Sequence, residues 1–303
     1  MATAQTHDAA RRILATTFLS LTALAELGLG RHRVQCLVAD GELLRLRNGR
    51  YVRRDLDADL LAAGRLGGRL DCVSLLSALG VFVRHKPAGL HLQFTPGTTR
   101  LPPRPTGVKA HWRHSTRERA ALAADLTEAM TQACRCLAVR DAVATLDSAW
   151  HLGLVDEPEI AEIFARLPHR YGSLRQLLDR RSESGAETLM RLLLRGLGCR
   201  VDVQVELAGV GRVDFVVDGW LIVECDSKAF HEGWPAQKRD RRRDLAAAAL
   251  GYTTVRPLAE AIYYRYDEVL ATMKAIVGRP RPQNSTRLGR AERRSPASGR
   301  VSR

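Results

Sequence analysis

Long apolar runs are missing from this 303-residue chain: the longest, such as 192–194 and 246–250, are only a few residues. A membrane helix needs roughly 20, so no spanning segment is expected. The first residues also lack a basic start followed by an apolar stretch, which excludes a secretory leader and points to the cytoplasm. Cysteine is sparse, at positions 36, 72, 134, 136, 199 and 225, with one C-x-C and no C-x-x-C pair. A zinc ribbon or dithiol redox motif is therefore not expected, and the six read as reduced, mostly buried thiols. Aromatics reach only 5%, but 45% hydrophobic content suffices for buried cores, and the length predicts two or three small domains.

What the chain has in excess is positive charge. Its formal net charge of +14 and pI near 10.2 make nucleic acid the first partner to consider, because clustered Arg and Lys release counterions from a polyphosphate. Part of this excess lies in residues 279–303, where eight arginines face one glutamate, a net +7 of the +14. That segment is rich in Arg, Pro, Ser and Gly with little to bury, so it is expected to be a disordered, non-specific polyanion arm.

Residues 1–54 read as three helices and a hairpin. "RRILATTFLSLTALAELGLG" carries apolar residues at helical spacing, and "RHRVQCLVADG" forms a third helix with Val34, Leu37 and Val38 inward. Arg31, His32, Arg33 and Gln35 then point outward. "ELLRLRNGRYVRR" closes on Asn48-Gly49, a strong hairpin-turn signal. The order predicts a winged helix-turn-helix, whose helix meets base edges in the major groove while Arg45, Arg47 and Arg50 of the hairpin reach phosphates. "LGLGRHRVQCLVADGELLRLRNGRYV" resembles the N-terminal domain of AbiEi-type antitoxin regulators, which implies DNA binding and leaves a toxin or operon partner open. A fold used only for packing or protein contacts is the alternative.

Residues 55–170 predict a mixed α+β linker or scaffold. "LAAGRLGGRLDCVSLLSALG" suggests helices packed through small residues, "VFVRHKPAGLHLQFTPG" alternates like a hairpin, and "RPTGVKAHW" adds a strand. Amphipathic helices follow over 126–167. His85, His91, His111 and His114 share no helical face, so no metal site is expected here.

Residues 171–278 have a different pattern. After a helix beginning near Ser184, "VDVQVELAG", "RVDFVVDG" and "WLIVECDS" read as strands, then "KRDRRRDLAAAALG" as a helix and "YTTVRPL" as a strand, giving α-β-β-β-α-β. Alternation puts Glu224, Asp226 and Lys228 on one strand face, about 6–7 Å apart in succession. A turn at Asp218-Gly219 brings Asp214 beside Glu224. Two adjacent carboxylates repel each other unless a cation lies between them, and Mg²⁺ or Mn²⁺ suits such hard oxygen ligands. A salt-bridged strand end, with Lys228 and arginines neutralising the acids, is the competing reading.

"RVDF", ten residues, then "VECDSKAFH" resembles the PD-(D/E)xK nuclease superfamily, and within it the group related to very-short-patch-repair endonucleases. The resemblance covers about 90 residues and implies a restriction-endonuclease-like fold, with DNA as substrate and Glu187, Asp214, Glu224, Asp226 and His231 in the site. It makes Asp214 and Glu224 metal ligands, with the Cys225 carbonyl as a further one, Glu187 as an auxiliary or additional ligand, and His231 as a proton donor or water-positioning group. The superfamily lysine falls on Asp226 in one frame and is supplied by Lys228 in another. Lys238, Arg239, Arg241, Arg242 and Arg243 would hold the DNA backbone. Phosphodiester hydrolysis and a non-enzymatic regulator with a degenerate nuclease fold are both compatible with the sequence, as are a homodimer and a weaker RNA-binding reading.

Overall fold

The computed structural model describes residues 2–47, 49–226 and 234–279. It is a mixed α/β protein in two compact units, 1–185 and 186–303. No helix among the described residues is long and apolar enough to cross a membrane.

The first unit opens with α1 (Ala2–Ala15), β1 (Leu19–Ser20), α2 (Leu21–Glu26), α3 (Arg31–Ala39), β2 (Leu43–Arg47) and β3 (Arg50–Arg53). The strands pair antiparallel in the order β1-β3-β2. Ser20 starts α2 by accepting the Ala23 amide hydrogen, and Gly49 at φ +70° turns the β2–β3 hairpin, a conformation glycine adopts without a Cβ clash. Its partner in the turn, Asn48, lies outside the described residues. Leu24, Val34, Leu37, Leu43 and Tyr51 form a small core beneath this sheet.

The chain continues through α4 (Ala58–Leu66), β4 (Arg69–Leu70), α5 (Cys72–Ala78), β5 (His91–Phe94), β6 (Lys109–Trp112), α6 (Leu126–Cys136), α7 (Val139–His151), α8 (Glu157–Ala165) and a short α9 (Gly172–Arg175). Asp57, Asp125 and Asp156 cap α4, α6 and α8 through their carboxylates, satisfying amides that each helix start leaves open. The predicted hairpin over 81–97 does not form: β5 instead pairs antiparallel with β4 and parallel with β6. Leu70, Leu75, Leu76, Leu92, Phe94, Met130 and Leu146 are buried in its core. Ala10, Leu46 and Val52 join that same core, which is why the expected border at 54 does not separate two compact bodies and the first unit runs on to 185.

The second unit contains α10 (Gly185–Gly196), β7 (Val201–Leu207), β8 (Gly211–Val217), β9 (Leu221–Val223), α11 (Trp234–Ala249), β10 (Thr253–Val255), α12 (Ala259–Tyr264) and α13 (Tyr266–Val277). The sheet order is β10-β9-β8-β7; β7, β8 and β9 are antiparallel neighbours, and β10 runs parallel to β9. On α10, Ala186, Leu189, Met190, Leu193 and Leu194 are buried at i, i+3, i+4 spacing. Ala247 of α11 packs with Val210, Val213, Val216 and Ile222. Burying Leu189, Met190, Leu193 and Leu194 contributes several kcal/mol, at ~1.5–3 kcal/mol for a large apolar residue. The tail 280–303 lies outside the described residues.

Candidate functional site

Three elements of the second unit bring polar groups to one corner. Glu187 sits in the first turn of α10 and is 5% exposed. Gln204, in the middle of β7, takes φ +51°, a left-handed conformation rare for a residue with a side chain. Its amide nitrogen donates to Glu187 Oε2 at 2.9 Å and stands 3.5 Å from Asp214 Oδ1. Asp214 Oδ2 accepts the Cys225 amide hydrogen at 2.8 Å, so the chain just past β9 sets the carboxylate's orientation. Gln204 Oε1 is buried with no hydrogen-bond partner.

This corner is an oxygen-rich, acidic environment. Burial pushes the Cys225 thiol well above its ordinary range, and the charges of Asp214, Glu187, Asp226 and Glu224 push it further. The carboxylates of Glu187 and Asp214 are hard ligands of the kind that suit Mg²⁺ or Mn²⁺ better than a softer metal, and here they accept from the Gln204 amide and the Cys225 backbone N–H. A buried carbonyl oxygen with nothing to accept is a cost the fold tolerates, and a cation at this corner would remove it. Glu187 and Asp214 are thus an acidic pair bridged by the Gln204 amide nitrogen.

Glu224 has partners of another kind. The register pairs Phe215 with Val223, so the next positions, Asp214 and Glu224, are neighbours as expected, yet Glu224 is held by arginine. Its Oε2 is 2.5 Å from Arg256 Nη1 and its Oε1 accepts from Arg243 at 2.8 Å. Arg243 also donates to the carbonyls of Val210 and Arg212, and Arg256 to Asp244 at 2.8 Å. Burial lifts the Glu224 carboxyl above its ordinary range, against the pull of Arg256 and Arg243. Arg243 thus ties α11 to the sheet, and Arg256 ties the chain after β10 to Glu224, the salt-bridged strand end that the sequence also allows. The physical reason is competition: two guanidinium groups within reach satisfy a buried carboxylate without a metal.

Asp226 is exposed, and its backbone pairs with Pro257 and Ala259. Lys228 and His231 lie outside the described residues. On α11, Lys238, Arg239, Arg241 and Arg242 are exposed, unlike Arg243. In the first unit, Arg31, His32, Arg33 and Gln35 line the exposed side of α3 and Arg45 is exposed on β2. The other two hairpin arginines are engaged internally: Arg47 donates to the Arg100 carbonyl at 2.5 Å, and Arg50 lies over the Phe18 ring, 4.6 Å from its centroid.

A second cluster was not expected. Cys72, His91, His111 and Cys136 place one ligand atom each within 4.8 Å of one another, an arrangement that could hold a metal ion. His85 and His114, grouped with them in the sequence reading, are exposed and stand apart. Parallel pairing of β5 with β6 sets Gln93 opposite His111; His91, two residues before Gln93, then shares that sheet face. The cysteines arrive from the start of α5 and the end of α6, so the spacing shows no motif. Gln204 sits in the alternating "VDVQVE" like any solvent-facing polar residue, and neither it nor Arg256 carries a local sequence signal of its place here. The chain matches no family model and no curated protein.

Proposed function

We propose that the protein binds DNA and hydrolyses its phosphodiester bonds with a hard divalent cation, Mg²⁺ or Mn²⁺, held at the acidic corner of the second unit. In this reading the second unit is a restriction-endonuclease-like core and residues 1–54 are a winged helix-turn-helix reader. The observation that carries it is Gln204, bent to φ +51° between Glu187 and Asp214 with its amide oxygen buried and unpartnered. A left-handed non-glycine residue costs of order 1–3 kcal/mol and persists where the surroundings require it.

Asp214 and Glu187, with the Cys225 carbonyl, would hold the ion, and Gln204 bridges the two carboxylates through its amide nitrogen. A divalent cation bound there supplies polarisation of the phosphodiester and a lowered water pKa. The chain's own groups do the rest. The Cys225 amide orients Asp214, Lys228 would steady developing negative charge, with Asp226 as the auxiliary in the other frame, and His231 would hand a proton to the departing oxygen. Glu224, with Arg243 and Arg256, keeps α11 seated, so that Lys238, Arg239, Arg241 and Arg242 meet phosphates. Incubating supercoiled plasmid with the full chain and Mg²⁺ tests this: Asp214→Asn and Glu187→Gln abolish cleavage, and an Asp214→Asn protein that cleaves like wild type contradicts it.

A second reading is favoured by the exposed row Arg31, His32, Arg33 and Gln35 on α3, which needs no metal. Here the protein is a DNA-binding regulator of the AbiEi antitoxin kind, and the second unit binds without cutting. Sequence-selective binding in chelator, lost in Arg33→Ala with Gln35→Ala, supports it. Point variants are the right tool, since deleting 1–54 would remove Ala10, Leu46 and Val52 from the core of the first unit.

A further inference from the structure

We infer that Cys72, His91, His111 and Cys136 form a closed, structural zinc site in the first unit, independent of the acidic corner in the second. The distances fit. Tetrahedral zinc with bonds of about 2.05 Å to nitrogen and about 2.3 Å to sulfur sets ligands about 3.3 Å apart for two nitrogens and about 3.6 Å for nitrogen and sulfur. His111 Nε2 and His91 Nδ1 are 3.3 Å apart, Cys136 Sγ is 4.0 Å from His111 Nε2, and all four ligand atoms fall within 4.8 Å. Two thiolates and two imidazoles are a soft, nitrogen-sulfur set that selects zinc over magnesium or calcium.

Burial distinguishes a structural site from a catalytic one. Cys72 is fully buried, His91 is 9% and His111 8% exposed, and Cys136 is half-buried. Four protein ligands with so little solvent access leave no open position for a substrate. A core that only needed filling would use apolar side chains, because buried polar groups cost free energy unless they are partnered.

The surroundings hold the ligands in place, as the outer partners of a metal site do. Cys72 adopts φ +52°, one of four non-glycine residues with positive φ among those described, and opens α5 with its sulfur in the cluster. Asp71, immediately before it, is fully buried and clamped by both Nη atoms of Arg113, at 2.6 and 2.7 Å. The His91 amide donates to Ser74 Oγ at 2.9 Å, and Gln132 Nε2 donates to Cys136 Sγ at 3.5 Å. Buried Gln93, between the histidines on the shared face, accepts from Arg69 and donates to the Arg113 carbonyl. Zinc here joins the start of α5, strands β5 and β6 and the end of α6. Cys134, two residues before Cys136, packs in the apolar core and is not among the four clustered ligands.

The experiment is metal analysis of the full chain purified without chelator, with cobalt substitution of the same protein. The expected result is one zinc per chain, and on replacement by Co²⁺ the intense visible absorption of a tetrahedral thiolate site. Cys136→Ser, at a half-buried helix end, lowers zinc affinity by at least about a hundredfold, whereas Cys134→Ser keeps the metal. Wild-type protein that takes up neither zinc nor tetrahedral cobalt overturns the inference. A Cys72–Cys136 disulfide in metal-free protein, or a folded Cys136→Ser variant with full zinc occupancy, does the same. None of these readouts depends on DNA cleavage.

Discussion

The two polar clusters of this protein are built from opposite chemistry by a similar backbone device. In the first unit, soft ligands from two helices and two strands close around one point, with Cys72 at φ +52°. In the second, hard oxygens from α10, β8 and the chain after β9 gather around Gln204 at φ +51°. Each site turns a non-glycine residue left-handed to aim its side chain inward, at a cost the surrounding contacts offset. The difference lies in closure. Arg113, Asp71 and Gln93 wall in the Cys/His cluster, whereas the acidic corner retains an unpartnered amide oxygen and an exposed Asp226 beside it. The first cluster gathers four soft ligand atoms around one point, and the second leaves a hard oxygen without a donor.

The largest expected effect is on the acidic corner. Asp214→Asn removes the carboxylate that the Cys225 amide orients and lowers Mg²⁺-dependent plasmid cleavage by about a hundredfold or more, with thermal unfolding little changed. That contrast between rate and melting temperature sets Asp214 apart from Glu224. Arg256→Met leaves the buried Glu224 carboxylate short of a partner and costs about 2–3 kcal/mol of stability, read as a lower midpoint in urea; an unchanged midpoint would return Glu224 to the list of cation ligands.

Within the first unit, a Cβ on Gly89 would meet the carbonyl carbon of Gly107 at 2.4 Å, backbone against backbone just before β5 and β6 begin. Gly89→Ala therefore spreads these strands, costs about 1–3 kcal/mol and loosens the His91–His111 pair, measured as faster zinc loss to a chelator. The smallest effect is Arg33→Ala on α3, which weakens DNA binding by about 1–3 kcal/mol if it reads a base and otherwise only reduces the salt dependence; titration at two salt concentrations separates the cases.

How much of this was legible in the sequence follows from how local each signal is. The four strands of the second unit and two of its four helices, α10 and α11, were readable because β-branched runs, the Asp218-Gly219 turn and the apolar stripe on α10 are local patterns. The position of Asp214 near Glu224 was also readable, from turn length and alternation. That Glu224 would be taken by Arg243 and Arg256 was not, because those arginines arrive from α11 and from the end of β10, 19 and 32 residues on by number. The Cys/His cluster was hidden for the same reason. Its ligands are spread from 72 to 136 and meet only because β6 pairs parallel to β5, a choice no short window of sequence contains. Gln204 was hidden by the reverse problem, since a polar residue at an alternate strand position has a simpler explanation.

One measurement addresses both sites together: anomalous diffraction at the zinc and manganese edges from crystals of the full chain grown without chelator and soaked in Mn²⁺. Zinc signal among Cys72, His91, His111 and Cys136, with manganese signal beside Asp214 and Glu187, is the predicted result. Manganese bound between Glu224 and solvent with none at Asp214, or no zinc in the Cys/His cluster, would contradict the contrast between a soft Cys/His site and a hard carboxylate one.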